Sequence, residues 1–460
     1  MIMHLHPATD PVTPPDQVVA KPPTLSGFAS LPPLFRRDLL TLFARASQTP
    51  FVRLDYLGFR LFQLNDPALI REVLLDKERR YRKGRLMRRL SAVTGEGLLI
   101  NDGERWKKHR RLANPSMSGR RLDGYAPAMA ESARLLVERW RALPAGQSVD
   151  LIAEISRTTL IALLRTLFGI DYDARYADVS EVIHRLLDAL VQRGSSLLAP
   201  PLSWPTPANL RFRRKITEAE AILARIIDTR RRHLNDDRDP SDLLGQWLRQ
   251  REQDPEHFTP DEMRDELMTM LIAGHHSLAI ALSWALWEIA GDPGLQQHLR
   301  AEVDPLEKAP TDAAAVQALP LTQGAFLEAL RLYPQPPILL RDAVSDHVLG
   351  NYRIRAGDQL IINILAIHHD PRLWPEPYRF RADRYPNINP DHLMQAHHLG
   401  FGGGPRSCIG RRFALIEGTL LLAHLVRGLQ LDRATAGPIE PRFAGMMVPS
   451  APLLLHVTPR

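Results

Sequence analysis

The sequence predicts a mainly α-helical protein with a small β region, folded as one large domain. Three observations carry that expectation. Helical spacing dominates residues 102–245, and a long apolar helix is expected at 261–290. Strand-like runs are confined to a hairpin near the start and to the last third of the chain. No internal repeat or composition break divides residues 34–460, so the domain is placed there, with 1–33 as an irregular proline-rich arm.

The elements follow in order. The arm, MIMHLHPATDPVTPPDQVVAKPP, has no long apolar run, so neither a signal peptide nor a transmembrane anchor is expected and the default location is cytoplasmic. Residues 34–46 read as a short amphipathic helix. Residues 51–54 and 59–64 alternate and are rich in aromatic residues, forming a hairpin around Leu57-Gly58. Residues 67–75 return to helical spacing. The stretch GSSLLAPPLSWPTPAN at 194–209 separates helices at 176–192 and 210–234, and reads either as a mobile lid or as a packed connector. The helix at 261–290 starts after Thr259-Pro260 and ends at Gly291-Asp292-Pro293. Its middle, LMTMLIAGHHSLAIALSWALW, is apolar on nearly every face, which marks a buried helix. Thr269, His275, His276, Ser277 and Ser283 suit it poorly to lipid. Strands are expected at 337–341, 347–354, 359–364 and 446–457.

Composition narrows the function classes. Hydrophobic residues at 44% and charged residues at 24% are enough for a large buried core. The single cysteine excludes an intramolecular disulfide, a zinc ribbon and an iron–sulfur cluster. Lys and Arg outnumber Asp and Glu by 59 to 52. No zinc-finger spacing, RNA-binding aromatic motif or lysine tail accompanies that excess, so no nucleic acid is expected. Arg230-Arg231-Arg232 reads as a solvated helix face.

The stretch that carries chemistry is FGGGPRSCIG at 401–410. Three glycines let the backbone turn where a side chain would clash. Cys408 then precedes a helical pattern, RRFALIEGTLLLAHLV. Backbone N–H donors and the dipole at a helix start stabilise a thiolate, and a thiolate is a strong haem ligand.

This stretch resembles the F-x-x-G-x-R-x-C-x-G signature of the cytochrome P-450 superfamily, matched by Phe401, Gly404, Arg406, Cys408 and Gly410. The resemblance implies a triangular-prism fold holding haem b (iron protoporphyrin IX). In it Cys408 is the axial metal ligand, Arg406 a propionate partner, and Phe401 packs beside the sulfur. Glu328-Ala329-Leu330-Arg331 looks like the family's E-x-x-R pair. Residues 380–385 look like its F-x-P-E-R-F segment, with Arg384 joining Glu328 and Arg331 in a buried network; Ala382, Asp383 and Tyr385 depart from that pattern. Trp106-Lys107-Lys108-His109-Arg110 is similar to the W-x-x-x-R helix, which implies that Trp106 and Arg110 face a propionate, and Arg341 sits where the family often places another propionate arginine. The resemblance covers roughly residue 95 to the end.

One motif departs. Where the family has A-G-x-[D/E]-T, this chain has Ala273-Gly274-His275-His276-Ser277. Ala273 and Gly274 are expected to leave room for oxygen. Ser277 keeps a hydroxyl, and His276 can relay protons because its ordinary pKa is about 6.5. The alternative is that His276 only packs or contacts solvent; His275 is expected to pack between helices.

The resemblance implies a monooxygenase of the secondary-metabolism type. It would insert one atom of O2 into a hydrophobic small molecule by hydroxylation, epoxidation or a related oxidation. The expected pocket lining is apolar: Leu90, Val93, Met270, Ile338, Leu339, Met446 and Met447. No fused flavin or ferredoxin domain is read, so electrons are expected from a separate ferredoxin or flavodoxin with an NAD(P)H-dependent reductase. Lys107, Lys108, Arg111, Arg411 and Arg412 would attract that partner. A monomer is expected. Two alternatives stand beside this: a peroxide-driven or non-oxygenating haem-thiolate enzyme, motivated by His276-Ser277, and a non-catalytic haem-binding ligand sensor.

Overall fold

The computed structural model describes residues 22–25, 39–56, 59–85, 87–144, 146–171, 178–194, 200–234, 242–256, 258–386 and 389–460. The helices are α1 (Leu39–Ala46), α2 (Pro67–Leu75), α3 (Ser91–Thr94), α4 (Gly103–Ala113), α5 (Gly119–Arg141), α6 (Leu151–Leu167), α7 (Val179–Gly194), α8 (Pro207–His233), α9 (Leu243–Gln253) and α10 (Pro260–Gly291). They continue with α11 (Pro293–Val303), α12 (Ala313–Gln317), α13 (Pro320–Leu332), α14 (Ile364–His368) and α15 (Arg411–Gly428). Helix accounts for 57% of the described residues, so the mainly-α reading holds.

The strands are β1 (Thr24–Leu25), β2 (Phe51–Tyr56), β3 (Phe59–Leu64), β4 (Tyr81–Lys83), β5 (Ser148–Asp150), β6 (Ile338–Ala343), β7 (His347–Leu349), β8 (Tyr352–Ile354) and β9 (Gln359–Asn363). β10 (Leu429–Arg433), β11 (Pro441–Phe443), β12 (Met447–Pro449) and β13 (Leu454–Pro459) close the chain. The larger sheet has the order β1-β2-β3-β9-β6-β4; a second joins β10-β13-β5, and two small hairpins pair β11 with β12 and β7 with β8.

Helix α10 is the axis of the molecule. Thr259 Oγ1 accepts from the Glu262 N–H while Glu262 reaches back to the Thr259 N–H, a complete capping box. Pro260 occupies the first turn, where its missing N–H costs nothing. The helix is apolar enough in composition to cross a membrane, but most of it is buried inside this protein. It packs along α6 and against α13 and α15. Trp284 and Leu286 are fully enclosed, and Trp284 stacks 4.0 Å from the Tyr333 ring.

A buried carboxylate pins α13 to the segment preceding the cysteine loop. Glu328 accepts from Arg331 Nε and Nη2 at 2.8 Å each, from Arg384 Nε at 2.9 Å, and from the Tyr385 hydroxyl at 2.8 Å. The Arg381 N–H adds a fifth contact at 3.1 Å. Tyr385, a departure from the family pattern, thus supplies a donor to the network.

Several expectations are corrected. Residues 347–354 are not one strand but the hairpin β7–β8, because Gly350 takes a positive φ of 56° at the turn. Residues 446–457 split into β12 and β13, which belong to different sheets. Helix α8 starts at Pro207, three residues before the expected position, because Thr206 caps the Asn209 N–H. Arg230 is not on a solvated face; it is buried and donates two hydrogen bonds to Asp242 Oδ2, while Arg231 and Arg232 are exposed. Most of the arm, the start of helix 34–46, the Leu57-Gly58 turn, residues 176–177 and residues 195–199 of the proline-rich loop lie outside the described residues.

Removing the charge at Glu328 strands two buried guanidinium groups. Glu328→Gln is therefore expected to cost about 3–5 kcal/mol of folding stability, read as a lower denaturant midpoint. The double variant Glu328→Gln with Arg331→Met is expected to cost less than the sum of the single changes.

Candidate functional site

The cysteine loop runs between α14 and α15 and turns through a short 3₁₀ segment at Gly404–Arg406. Gly404 has φ +65°, and a β-carbon there would lie 2.1 Å from the Leu74 carbonyl oxygen. Only glycine fits against α2 at that point. The turn brings the Cys408 N–H to the Phe401 carbonyl at 2.8 Å and the Ser407 N–H to the Gly404 carbonyl at 3.0 Å. Phe401 itself is buried in the core that contains Leu327 and Leu330.

Cys408 is exposed, yet enough protein lies around it to desolvate the thiol. Burial pushes the thiol pKa up, while the Gly410 N–H and the guanidinium groups of Arg110 and Arg411 oppose that rise. The N–H donors and cations expected beside a thiolate are therefore present.

Around the loop, cations gather from four elements. Arg406 donates to the Asn101 carbonyl at 2.9 Å and to Asp102 at 2.8 Å, and its guanidinium lies 3.9 Å above the Trp106 ring. Arg110, on α4, donates to the Ser407 carbonyl at 2.9 Å. Arg341, on β6, is buried and donates to its neighbour's carbonyl, that of Leu340, at 2.9 Å. The β4–β6 register pairs Lys83 with Arg341, so two cations sit side by side. Burial, then the neighbouring arginines, lower Lys83 to about 7 and Arg341 to about 10. Asp102 and Asp76 are the carboxylates that offset this group. With Lys83 protonated these four cations outnumber Asp102 and Asp76, which suits a ligand bearing two carboxylates, as haem does. Sequence reasoning missed Lys83, Asn101 and Asp102. No motif marks them; the strand register and the N-terminal turn of α4 bring them in.

The second accessible point lies on α10. Ala273 is exposed within a helix whose other faces are buried, and Gly274 and Ser277 are half-buried beside it. Gly274 was expected to leave room next to Ala273. Its missing side chain instead admits Leu163 of α6, whose Cδ1 would lie 2.5 Å from an added β-carbon. Ser277 Oγ donates to the Ala273 carbonyl at 2.8 Å. His275 is fully buried, with Nδ1 2.5 Å from the Leu271 carbonyl, as expected for a packing residue. The His276 ring meets His184 of α7 edge-on at 4.8 Å, and its Nδ1 is buried without a partner. Burial, reinforced by His184 and His275, holds His276 well below the usual histidine range, so it is neutral near pH 7.

Two other expectations change. Val93 and Met447 are fully enclosed in the core and cannot line an open pocket, whereas Leu90, Ile338, Leu339 and Met446 keep accessible surface. Of the cations expected to attract a redox partner, Lys107 pairs with Glu104, Lys108 with Glu262, and Arg411 and Arg412 both with Asp391. Arg111 donates to the Lys107 carbonyl.

Comparison with known proteins supplies the relatives. The family model described as Cytochrome P450 matches residues 29–457. Protein LUTEIN DEFICIENT 5, chloroplastic, from Arabidopsis thaliana is 30% identical over 82% of this chain and 66% of its own length. Cytokinin hydroxylase from the same plant is 32% identical over 72% of this chain and 65% of its own length. The chain thus spans slightly less than two thirds of these plant relatives. Cyclooctatin synthase from Streptomyces melanosporofaciens is 29% identical over 86% of this chain and 85% of its own length.

The crowded cations generate a two-sided expectation. Lys83→Met is expected to raise the stability of the haem-free chain, because it removes a desolvated charge from among arginines. A charge-assisted contact contributes about 1.5–3 kcal/mol, so the same change is expected to speed haem transfer to a scavenging apoprotein roughly ten- to hundredfold. Unfolding of the haem-free protein and haem-transfer kinetics check the two halves.

Proposed function

The chain belongs to the cytochrome P450 family, and from that premise we propose that it is a haem-thiolate monooxygenase acting on a hydrophobic small molecule. The observation that carries this reading is the loop that presents an accessible Cys408 beside a cation cluster suited to two carboxylates. Cys408 would hold the iron through its sulfur. Arg406, Trp106, Arg110, Arg341 and Lys83 would surround the propionates. When bound, the haem supplies the redox chemistry by which O2 is activated and one oxygen atom passes to substrate.

The protein's own residues have separate tasks. Ala273 keeps the accessible face of α10 small. Ser277 can turn its hydroxyl from the Ala273 carbonyl toward a solvent or substrate oxygen and hold a proton there. The neutral imidazole of His276 can take a proton on one ring nitrogen and release one from the other, so its net charge is unchanged after each transfer. Leu90, Ile338, Leu339 and Met446 exclude water from an apolar substrate.

The substrate class is read as hydrophobic. Among the relatives, one carries the name Cyclooctat-9-en-7-ol 5-monooxygenase and is 27% identical. Electrons would come from a separate ferredoxin or flavodoxin with its NAD(P)H-dependent reductase. Because most of the expected docking cations are already paired, the salt dependence of that encounter should be shallow.

A second reading, peroxide-driven turnover, is favoured by one observation: the turn that holds Ser277 carries a neutral imidazole where relatives of this family place an acid. Ser277→Ala is expected to leave haem content and substrate-induced Soret shifts intact. It should reduce product formed per NAD(P)H about a hundredfold, the lower end of the range typical of a lost proton-transfer group. Product formation with peroxide but not with ferredoxin, reductase and NAD(P)H would replace the monooxygenase reading with the second one.

A further inference from the structure

Helix α4 is tied to the start of α10 by a buried ionic cluster that the cofactor and oxygen-site residues do not explain. His109 is only 1% exposed. Its Nδ1 lies 2.5 Å from Glu266 Oε1 and its Nε2 3.3 Å from Glu262 Oε1. Glu262 and Glu266 are four residues apart on α10, so one helix face presents both carboxylates to one imidazole. Lys108 adds contacts of 3.0 Å to both oxygens of Glu262. The Asn101 amide lies 3.2 Å from Nδ1, and the Phe258 ring closes the far side edge-on at 6.2 Å.

Lys108 offsets Glu262, and the short Nδ1–Oε1 contact holds a proton between His109 and Glu266. Burial would raise Glu262, but the Thr259 N–H, Lys108 and His109 outweigh it and hold that carboxyl down at about 2. Burial pushes Glu266 up. Paired, hydrogen-bonded groups are the form in which buried charge is tolerable.

The residue after His109 is Arg110, whose guanidinium donates to the carbonyl of Ser407, the peptide that leads into Cys408. Arg110 is also a cation whose field acts on the Cys408 sulfur. Consecutive residues on a helix point about 100° apart. One therefore grips α10 while the other grips the ligand loop. Groups hydrogen-bonded behind a metal ligand orient it and tune its electronics.

We propose that His109 is a positioning residue for the cysteine ligand: its grip on Glu262 and Glu266 sets where α4 lies and so where Arg110 meets the Ser407 carbonyl and the Cys408 sulfur. The inference rests on Cys408 being the haem ligand. Two other contacts, Trp247 Nε1 to the Leu112 carbonyl at 3.2 Å and the Arg406–Trp106 stack, keep α4 attached to the protein when the grip is cut, so the helix shifts without detaching.

The test uses the haem-loaded protein and two spectroscopic readouts. One is the ferric–ferrous equilibrium; the other is the share of the ferrous carbonyl complex that shows the red-shifted thiolate Soret band. A cation near the iron ligand favours the reduced state. His109→Leu should therefore move the reduction equilibrium several-fold toward the ferric form and lower the red-shifted share. Glu266→Gln, which preserves side-chain volume, should act in the same direction, and His109→Gln, which keeps one donor, should act less. In an Arg110→Met background, His109→Leu should add nothing. If His109→Leu and Glu266→Gln lower only the unfolding midpoint and leave both spectra unchanged, the cluster is structural and the proposal fails. It fails equally if the full spectral effect persists without Arg110. A wild-type carbonyl complex without the red-shifted band would instead dismiss Cys408 as the ligand, a distinct outcome.

Discussion

Everything near the cysteine loop depends on how one buried carboxylate is satisfied. Glu328 has no access to water, and its oxygens accept from Arg331, Arg384, Tyr385 and the Arg381 backbone. A charge in that position is stable only if every lone pair is used. Those donors come from α13 and from the segment around 381–385, which lie far apart in sequence. Arg331 also donates to the His368 carbonyl, and the ring of His368 receives the Leu399 N–H two residues before Phe401. The network therefore fixes the approach of the chain to its cysteine.

The site combines two opposite electrostatic solutions. On one side, cations are forced together until burial and mutual repulsion weaken their hold on protons, as at Lys83 and Arg341. That arrangement stores an affinity for carboxylates. On the other side, three imidazoles, His184, His275 and His276, are desolvated and kept neutral. Neutral rings can pass protons without placing a fixed charge beside an apolar substrate.

Much of this was legible in the sequence wherever local chemistry dictates structure. The capped run at 261–290, apolar on nearly every face of its middle, reads as a buried helix, and its observed bounds, Pro260–Gly291, differ by one residue at each end. The glycine-rich turn before Cys408 was readable because a positive φ beside α2 excludes side chains. What escaped was set by partners distant in sequence. Lys83 matters because β4 pairs with β6. Arg230 is inside because Asp242 meets it there. Gly274 faces Leu163, which spacing along one helix cannot reveal. β5 and β10 are short and acquire their identity only by pairing with β13.

The contact between Gly274 and Leu163 gives two neighbouring positions different steric constraints. A β-carbon at 274 would press on α6, so variation there is judged by whether two helices can still lie together. Position 273 opens toward the accessible space, so variation there is judged by what that space must contain. A larger residue at 273 changes what the exposed patch of α10 can meet, whereas one at 274 first changes how α10 and α6 pack.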